Sequence, residues 1–264
     1  MMRIGVIGGT GAAFPIGDLA EIHMDTPYGP FEAAVGHVDE EGGREVVFVQ
    51  RHGADHARLS SAVEHRANLW GLKESGVAGI VATTVCGVID PAVGLGRAIV
   101  FDDMLFPDNR LPDGRACTFF DTPGQAGCGH FIFDSPFSPS LRKAAIAAAV
   151  GSGLDVVDGG CYAYALGPRF NTKAEIRTFA TAGAIAVSQT AGPEATLAGE
   201  LELPYCLLGF GVDYANGVMP VPTPVDILDE NIALSESAFQ TMVAGIVRGW
   251  KPCEFDTGFI YRFE

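Results

Sequence analysis

Ala184-Ile185-Ala186-Val187-Ser188-Gln189-Thr190-Ala191-Gly192-Pro193-Glu194-Ala195 is the stretch that decides the fold class. Four small or β-branched apolar residues run directly into Ser-Gln-Thr and then Gly-Pro. A short apolar run bounded this way reads as a buried strand. Its C-terminal end carries two hydroxyls and an amide, and open α/β sheets bind ligands at such strand ends. Upstream, Gly167-Pro168-Arg169-Phe170-Asn171-Thr172-Lys173-Ala174-Glu175-Ile176 sets an Arg and a Phe on a Gly-Pro turn, whose stiff backbone holds both side chains.

The pattern repeats outward from this centre. Apolar runs predict strands at Arg3–Ile7, Glu45–Gln50, Val77–Thr84, Ala98–Phe101, Leu154–Tyr164, Ala184–Ser188 and Cys206–Val212. Helical patterns cover Leu59–Glu74, with Ser60-Ser61 as cap, and Ser138–Val150, with Ser138 as cap and Pro139 at the first position. A final helix runs over Glu236–Trp250. Strands and helices alternate mostly one to one. The expected fold is therefore a single α/β domain over residues 1–264, with a twisted, parallel or mixed central sheet and helices on both faces. Residues Met104–Pro136 are poorly periodic and rich in Pro, Gly, Asp and Phe. A loop that long in a compact domain is usually functional.

Composition narrows the function classes. The chain has 264 residues, 48% hydrophobic and 19% charged, with 34 glycines and a formal net charge of −15. An acidic surface argues against nucleic acid, whose phosphates need a basic footprint. An anionic substrate would need a local cationic pocket. Met1–Gly8 is too short and glycine-rich for a secretory apolar region, and no apolar run approaches a membrane span. The six cysteines lack C-x-x-C spacing and read as reduced, buried thiols of a cytoplasmic protein. The six histidines show no H-E-x-x-H or similar ligand spacing, so no metal is expected.

Five places carry chemistry. Gly8-Gly9-Thr10-Gly11 follows a strand, where glycines let backbone N–H groups approach an anion and Thr10 adds a hydroxyl. A dinucleotide-binding turn is the rival, but Ala12-Ala13-Phe14 stand where its third glycine belongs. Arg51-His52 lies past a strand end. It reads as a phosphate fork with a second donor, or as a surface Arg with a capping His. Thr83-Thr84 ends a strand and offers hydroxyls to an oxyanion, or simply has high β-propensity. Phe170 is a stacking platform or one of 17 phenylalanines in a core. Asp213-Tyr214 follows the last apolar strand.

Taken in order, Ile7-Gly8-Gly9-Thr10-Gly11, Thr26-Pro27-Tyr28-Gly29, Arg51-His52-Gly53, Ala67-Asn68-Leu69-Trp70, Thr83-Thr84-Val85-Cys86-Gly87, the two stretches above and Asp213-Tyr214 resemble the trimeric purine nucleoside phosphorylases. The resemblance is closest to their 5'-methylthioadenosine / 5'-methylthioinosine phosphorylase branch, and it runs through most of the chain. It implies phosphorolysis of a purine nucleoside, with inorganic phosphate as co-substrate and no metal, covalent enzyme intermediate or organic cofactor. It implies phosphate binding by Thr10, Arg51, His52, Thr84 and Thr190, stacking of the purine on Phe170, and Asp213 as the acid at purine N7. It also implies a homotrimer, in which the Met104–Pro136 stretch of one subunit closes the neighbour's sugar pocket and His130 reaches the 5' substituent.

Four positions depart from that branch. Ala215 replaces a second Asp that accepts from the adenine amino group, and Asn216 follows it. Gln189 replaces a Met against the ribose, where its amide could bond ribose hydroxyls or narrow the pocket. Asn171 occupies the position of a Glu in the 6-oxopurine enzymes or a Ser in the methylthioadenosine enzymes. Tyr28-Gly29-Pro30-Phe31-Glu32 replaces the usual Ser-Asp segment after the tyrosine. The expected substrate is a 5'-methylthio- or 5'-hydroxy-purine nucleoside. The alternative is a divergent member that binds another small aromatic ligand with little phosphorolysis. An NAD-dependent oxidoreductase rests on the first glycine loop alone.

Overall fold

The apolar segment Arg3–Gly8 forms strand β1 at the centre of the sheet, parallel to Glu45–Gln50 (β4) on one side and to Val77–Val88 (β5) on the other. The structure is a computed structural model and describes residues 3–9, 17–38, 44–53, 58–122 and 127–262. Thr10 lies outside the described residues. An antiparallel hairpin, Gly17–Thr26 (β2) and Gly29–His37 (β3), extends the sheet beyond β4. The far half consists of Ala98–Val100 (β6), Asp103–Leu105 (β7), Val156–Asp158 (β9), Cys161–Tyr164 (β10), Ala184–Ser188 (β11) and Tyr205–Tyr214 (β12). With both directions among its pairings, this 11-stranded sheet is mixed.

Period-2 alternation explains the two cores. Ile4, Val6, Val81, Leu208 and Phe210 point to one face. There they meet Pro139–Gly151 (α2) and Val225–Gly249 (α5) through Leu141, Ala145, Phe239, Met242 and Ile246. Ile7, Ile80, Ala82 and Leu207 point to the other face, toward His65–Glu74 (α1) and Ala191–Glu200 (α4) through Leu69, Leu72, Ala195 and Ala198. Lys173–Thr181 (α3) covers β11 through Ile176.

The sheet opens along β5. Strand β12 pairs with one edge from Ile80 to Val88. The other edge pairs with β1 up to Ala82 and with β11 only at Gly87 and Val88. Thr83 to Cys86 therefore border a gap between two strand ends. Such a split between neighbouring strands is where this fold class builds sites.

Several sequence expectations are corrected. The α1 pattern does not begin at Leu59: Ser60–Ala62 is a single 3-10 turn, and Glu64 precedes α1 without a side-chain cap. Ser60 instead donates its hydroxyl to Gln189 Oε1 at 2.8 Å. The expected strand Leu154–Tyr164 breaks at Gly159 and Gly160, whose φ values of +95° and +111° suit glycine alone among common residues. Its halves pair with different neighbours. Helix α5 starts eleven residues before the expected Glu236, because Asn231 and Ser235 occupy buried positions on its apolar stripe and mask the period. With β2, β3, α3 and α4 unforeseen, strands and helices do not alternate one to one.

Described parts of the Met104–Pro136 stretch form regular and packed structure. Gly129–Phe133 (β8) pairs antiparallel with Gly258–Arg262 (β13), and Phe119 is buried against Tyr28 and Trp70, with ring centroids 5.1 and 5.7 Å away. The cysteines are all free, as expected, but only Cys86, Cys117 and Cys206 are buried; Cys253 is exposed.

Candidate active site

The gap along β5 opens into a cavity of about 490 Å³. Ten of the residues read from sequence line it: Arg51, His52, Thr84, Phe170, Asn171, Gln189, Thr190, Asp213, Ala215 and Asn216. They arrive from the ends of β4, β5, β11 and β12 and from the turn before α3. Of the remaining two, Thr10 lies outside the described residues, although Gly9 beside it lines the cavity. His130 on β8 lines a second cavity of about 680 Å³, together with Phe106, Thr118 and Glu200.

One end of the main cavity is a cradle of hydroxyls. Thr84 Oγ1 and Ser188 Oγ are 2.8 Å apart. Thr190 occupies the N-cap of α4, yet its hydroxyl makes no cap bond and remains available. The first turn of α4 adds the positive end of a helix dipole, which favours an anion.

Arg51 differs from the sequence expectation of a cation free for phosphate. It is 1% exposed. Its Nε and Nη2 donate to both oxygens of Glu194 at 2.5 and 2.8 Å, and Nη1 donates to the Thr83 carbonyl at 2.8 Å. Tyr205 donates its hydroxyl to Glu194 Oε2 at 2.8 Å, and His65 Nδ1 lies 3.7 Å from Oε1. Burial alone would raise the Glu194 carboxyl, but the Arg51 charge and its hydrogen bonds outweigh burial and hold it below the usual carboxylate range. Three of the five guanidinium protons are committed and the charge is compensated, which leaves two N–H donors on a side chain with 0% exposure. Gly9 makes this approach possible, since a Cβ there would sit 2.7 Å from both Arg51 Nη1 and the Thr83 carbonyl.

Sequence reasoning missed Arg58, which also lines the cavity and, among the described residues, has a loose, exposed ion-pair partner in Glu32 at 3.6 Å. His52 Nδ1 lies 3.1 Å from the Arg58 carbonyl, which orients the ring. Leu228 and Ile232, one turn apart on α5, close the other side. Their i, i+4 spacing was the available signal, hidden by the late helix start.

The opposite end is shaped for a flat ring. Phe170 is 78% exposed, which excludes the core reading. Its turn is stiffened from below: Thr172 and Glu175 form a capping box, and Glu175 also takes the Arg169 fork at 2.9 and 2.7 Å. Gln189 accepts from Ser60 and donates to the Arg169 carbonyl at 3.0 Å, so it ties the Phe170 turn to the 3-10 turn. Asn216 Nδ2 donates to the Asn171 carbonyl at 2.8 Å. Asp213 meets no cationic side chain among the described residues. Burial raises its carboxyl from 3.8 to about 6. The acid form therefore persists up to about pH 6, where it can donate to a leaving group.

Residues 3–248 match the family described as the phosphorylase superfamily. The chain belongs to that superfamily. It is 39% identical over 219 residues to the S-methyl-5'-thioadenosine phosphorylase of Mycolicibacterium smegmatis, covering 82% of this chain and 79% of that one. It is 37% identical over 223 residues to the 6-oxopurine nucleoside phosphorylase of Pyrococcus furiosus, covering 83% and 82%. Among solved structures, methylthioadenosine phosphorylase from Schistosoma mansoni in complex with adenine superposes with a TM-score of 0.81 at 25% identity, covering 93% of this chain and 91% of that one. These superfamily relatives are all named as phosphorylases, and none supports the reading of a ligand-binding member without that activity.

Proposed function

We propose that the chain catalyses phosphorolysis of the N-glycosidic bond of a purine nucleoside, 5'-methylthioadenosine or a relative, giving the free base and a ribose 1-phosphate. The observation that carries this reading is the polarity of one cavity. A half-buried Asp213, its carboxyl raised to about 6, lies at the base end, and hydroxyls with a helix N-terminus lie at the other. As the glycosidic bond lengthens, electron density collects on the purine and positive charge on the sugar. Asp213 donates to N7, which stabilises the leaving base. Phosphate held by Thr84, Thr190, His52 and the two remaining Arg51 donors faces the cationic sugar carbon and attacks it. Phe170 stacks on the purine. Phosphate-dependent release of free base from methylthioadenosine, methylthioinosine, inosine and adenosine tests the reading; no release from any of the four would overturn it.

Base preference follows from Ala215. This side chain is apolar and buried, so a purine amino group beside it has no carboxylate acceptor. A buried polar group left unpaired costs about 1–3 kcal/mol. Nucleosides of 6-oxopurines should therefore react at least as well as those of 6-aminopurines. Ala215→Asp should shift the ratio of kcat/KM values toward methylthioadenosine by about tenfold or more. A wild type strongly selective for adenine nucleosides would contradict this assignment.

The assembly we propose is a homotrimer. Ile132, Phe259 and Tyr261 share one face of the β8–β13 ribbon with His130 and leave an apolar surface 43–58% exposed. A contiguous patch of this kind favours burial against another chain. A neighbour seated there would bring His130 to the 5' end of the nucleoside. Sedimentation at micromolar concentration should give a trimer, and a fully active monomer would refute the arrangement. Six free thiols fit the reducing cytoplasm, and no helix among the described residues is long and apolar enough to cross a membrane.

A further inference from the structure

Two hydroxyls of the anion cradle and a third behind it form an ordered chain. Tyr162 on β10 is fully buried, and its OH accepts from the Ala191 N–H, the first amide of α4, at 3.3 Å. The same OH lies 2.7 Å from Ser188 Oγ, which lies 2.8 Å from Thr84 Oγ1. Only Ser188 and Thr84 reach the cavity; Tyr162 stays behind them. We propose that Tyr162 and Ser188 are positioning residues, a one-directional hydrogen-bond relay that fixes the Thr84 hydroxyl as a donor to the anion. The inference rests on the phosphorolysis reading and extends it to two residues with no role in that scheme.

Donor counting sets the direction. The phenol already accepts from Ala191, so its own proton needs an acceptor, and among the described residues Ser188 Oγ is the one in reach. Were Ser188 to donate to Tyr162 instead, the phenol proton would be buried without a partner. Burial also pushes the Tyr162 phenol up, so it remains a donor at any working pH. Ser188, having accepted, passes its proton to Thr84. The Thr84 proton is then left with the Val85 carbonyl, the adjacent residue, at 3.2 Å. A phosphate oxygen in the cavity is the better acceptor, because a charged acceptor makes the stronger bond. The chain begins at a helix N-terminus, so each bond polarises the next in the same sense.

Steady-state kinetics of Tyr162→Phe, Ser188→Ala and Thr84→Val, alone and combined, test this. Each of the first two should raise KM for phosphate by about three- to tenfold and leave KM for the nucleoside within about twofold. The Tyr162→Phe/Ser188→Ala pair should be no worse than the worse single variant, because one break empties the relay. In the Thr84→Val background neither change should add to KM for phosphate. Multiplying effects, a nucleoside KM that rises in parallel, or an unchanged KM for phosphate in Ser188→Ala would each overturn the relay alone. Thr84→Val with unaltered phosphate dependence would instead overturn the phosphate reading beneath it.

Discussion

Asp213→Ala is expected to lower kcat by about 10²- to 10⁴-fold, the usual contribution of a positioned acid. Nucleoside KM should change little, because the carboxyl acts on charge that develops only in the transition state. The pH profile is the sharper measurement. The folded protein holds this proton up to about pH 6, against an ordinary value of 3.8. A reaction that needs the acid form should therefore lose kcat/KM as pH rises through about 6 in the free enzyme. Asp213→Asn cannot titrate but still offers a donor to N7. It should lack that alkaline limb while retaining more activity than Asp213→Ala. An identical limb in wild type and Asp213→Asn would remove Asp213 from the mechanism. The linkage has the matching sign for stability: because the folded pKa is raised, this group favours folding most below pH 3.8, and that contribution is lost as pH rises through 6.

The second large effect is on folding. Arg51→Ala strands the Glu194 carboxylate at 1% exposure, and Glu194→Ala strands the guanidinium. Breaking one partner of a buried pair costs about 3–5 kcal/mol. Urea denaturation of either single variant should register a loss of that order. Arg51→Met/Glu194→Leu removes both charges and should be closer to wild type in stability than either single variant. Losses below about 1 kcal/mol in the single variants would mean that water reaches the pair. Arg51→Ala is consequently a poor probe of phosphate binding by itself, whereas Thr84 and Thr190 report on it without stranding a charge.

The strand ends were legible because each carries a local signature. Ser188-Gln189-Thr190 breaks an apolar run with hydroxyls, and Thr83-Thr84 does the same on β5. Asp213 was legible as a carboxylate at the end of a long apolar strand. The hairpin β2–β3 lacks the uninterrupted apolar run that marks the other strands: Ile22 and Met24 alternate with Glu21, His23 and Asp25, a half-buried pattern. Helix α4 was hidden by Gly192-Pro193 in its first turn, which resembles a loop until the missing N–H of Pro193 is recognised as one the first turn leaves unpaired anyway.

Partnerships were the part that sequence left open. Arg51 beside His52 looked like a free cation, and nothing local to residue 51 points to a carboxylate 143 positions away. Gln189 looked like a sugar contact, yet its amide is held by Ser60 and the Arg169 carbonyl. By itself the sequence determined the α/β class, the strand ends, and the residue types delivered there, since periodicity and turn chemistry are local properties of a chain. The tertiary structure alone decided which of those groups face the cavity and which spend their charge on one another. Charge compensation and hydrogen-bond direction depend on distances between strands that adjacency in the chain does not encode.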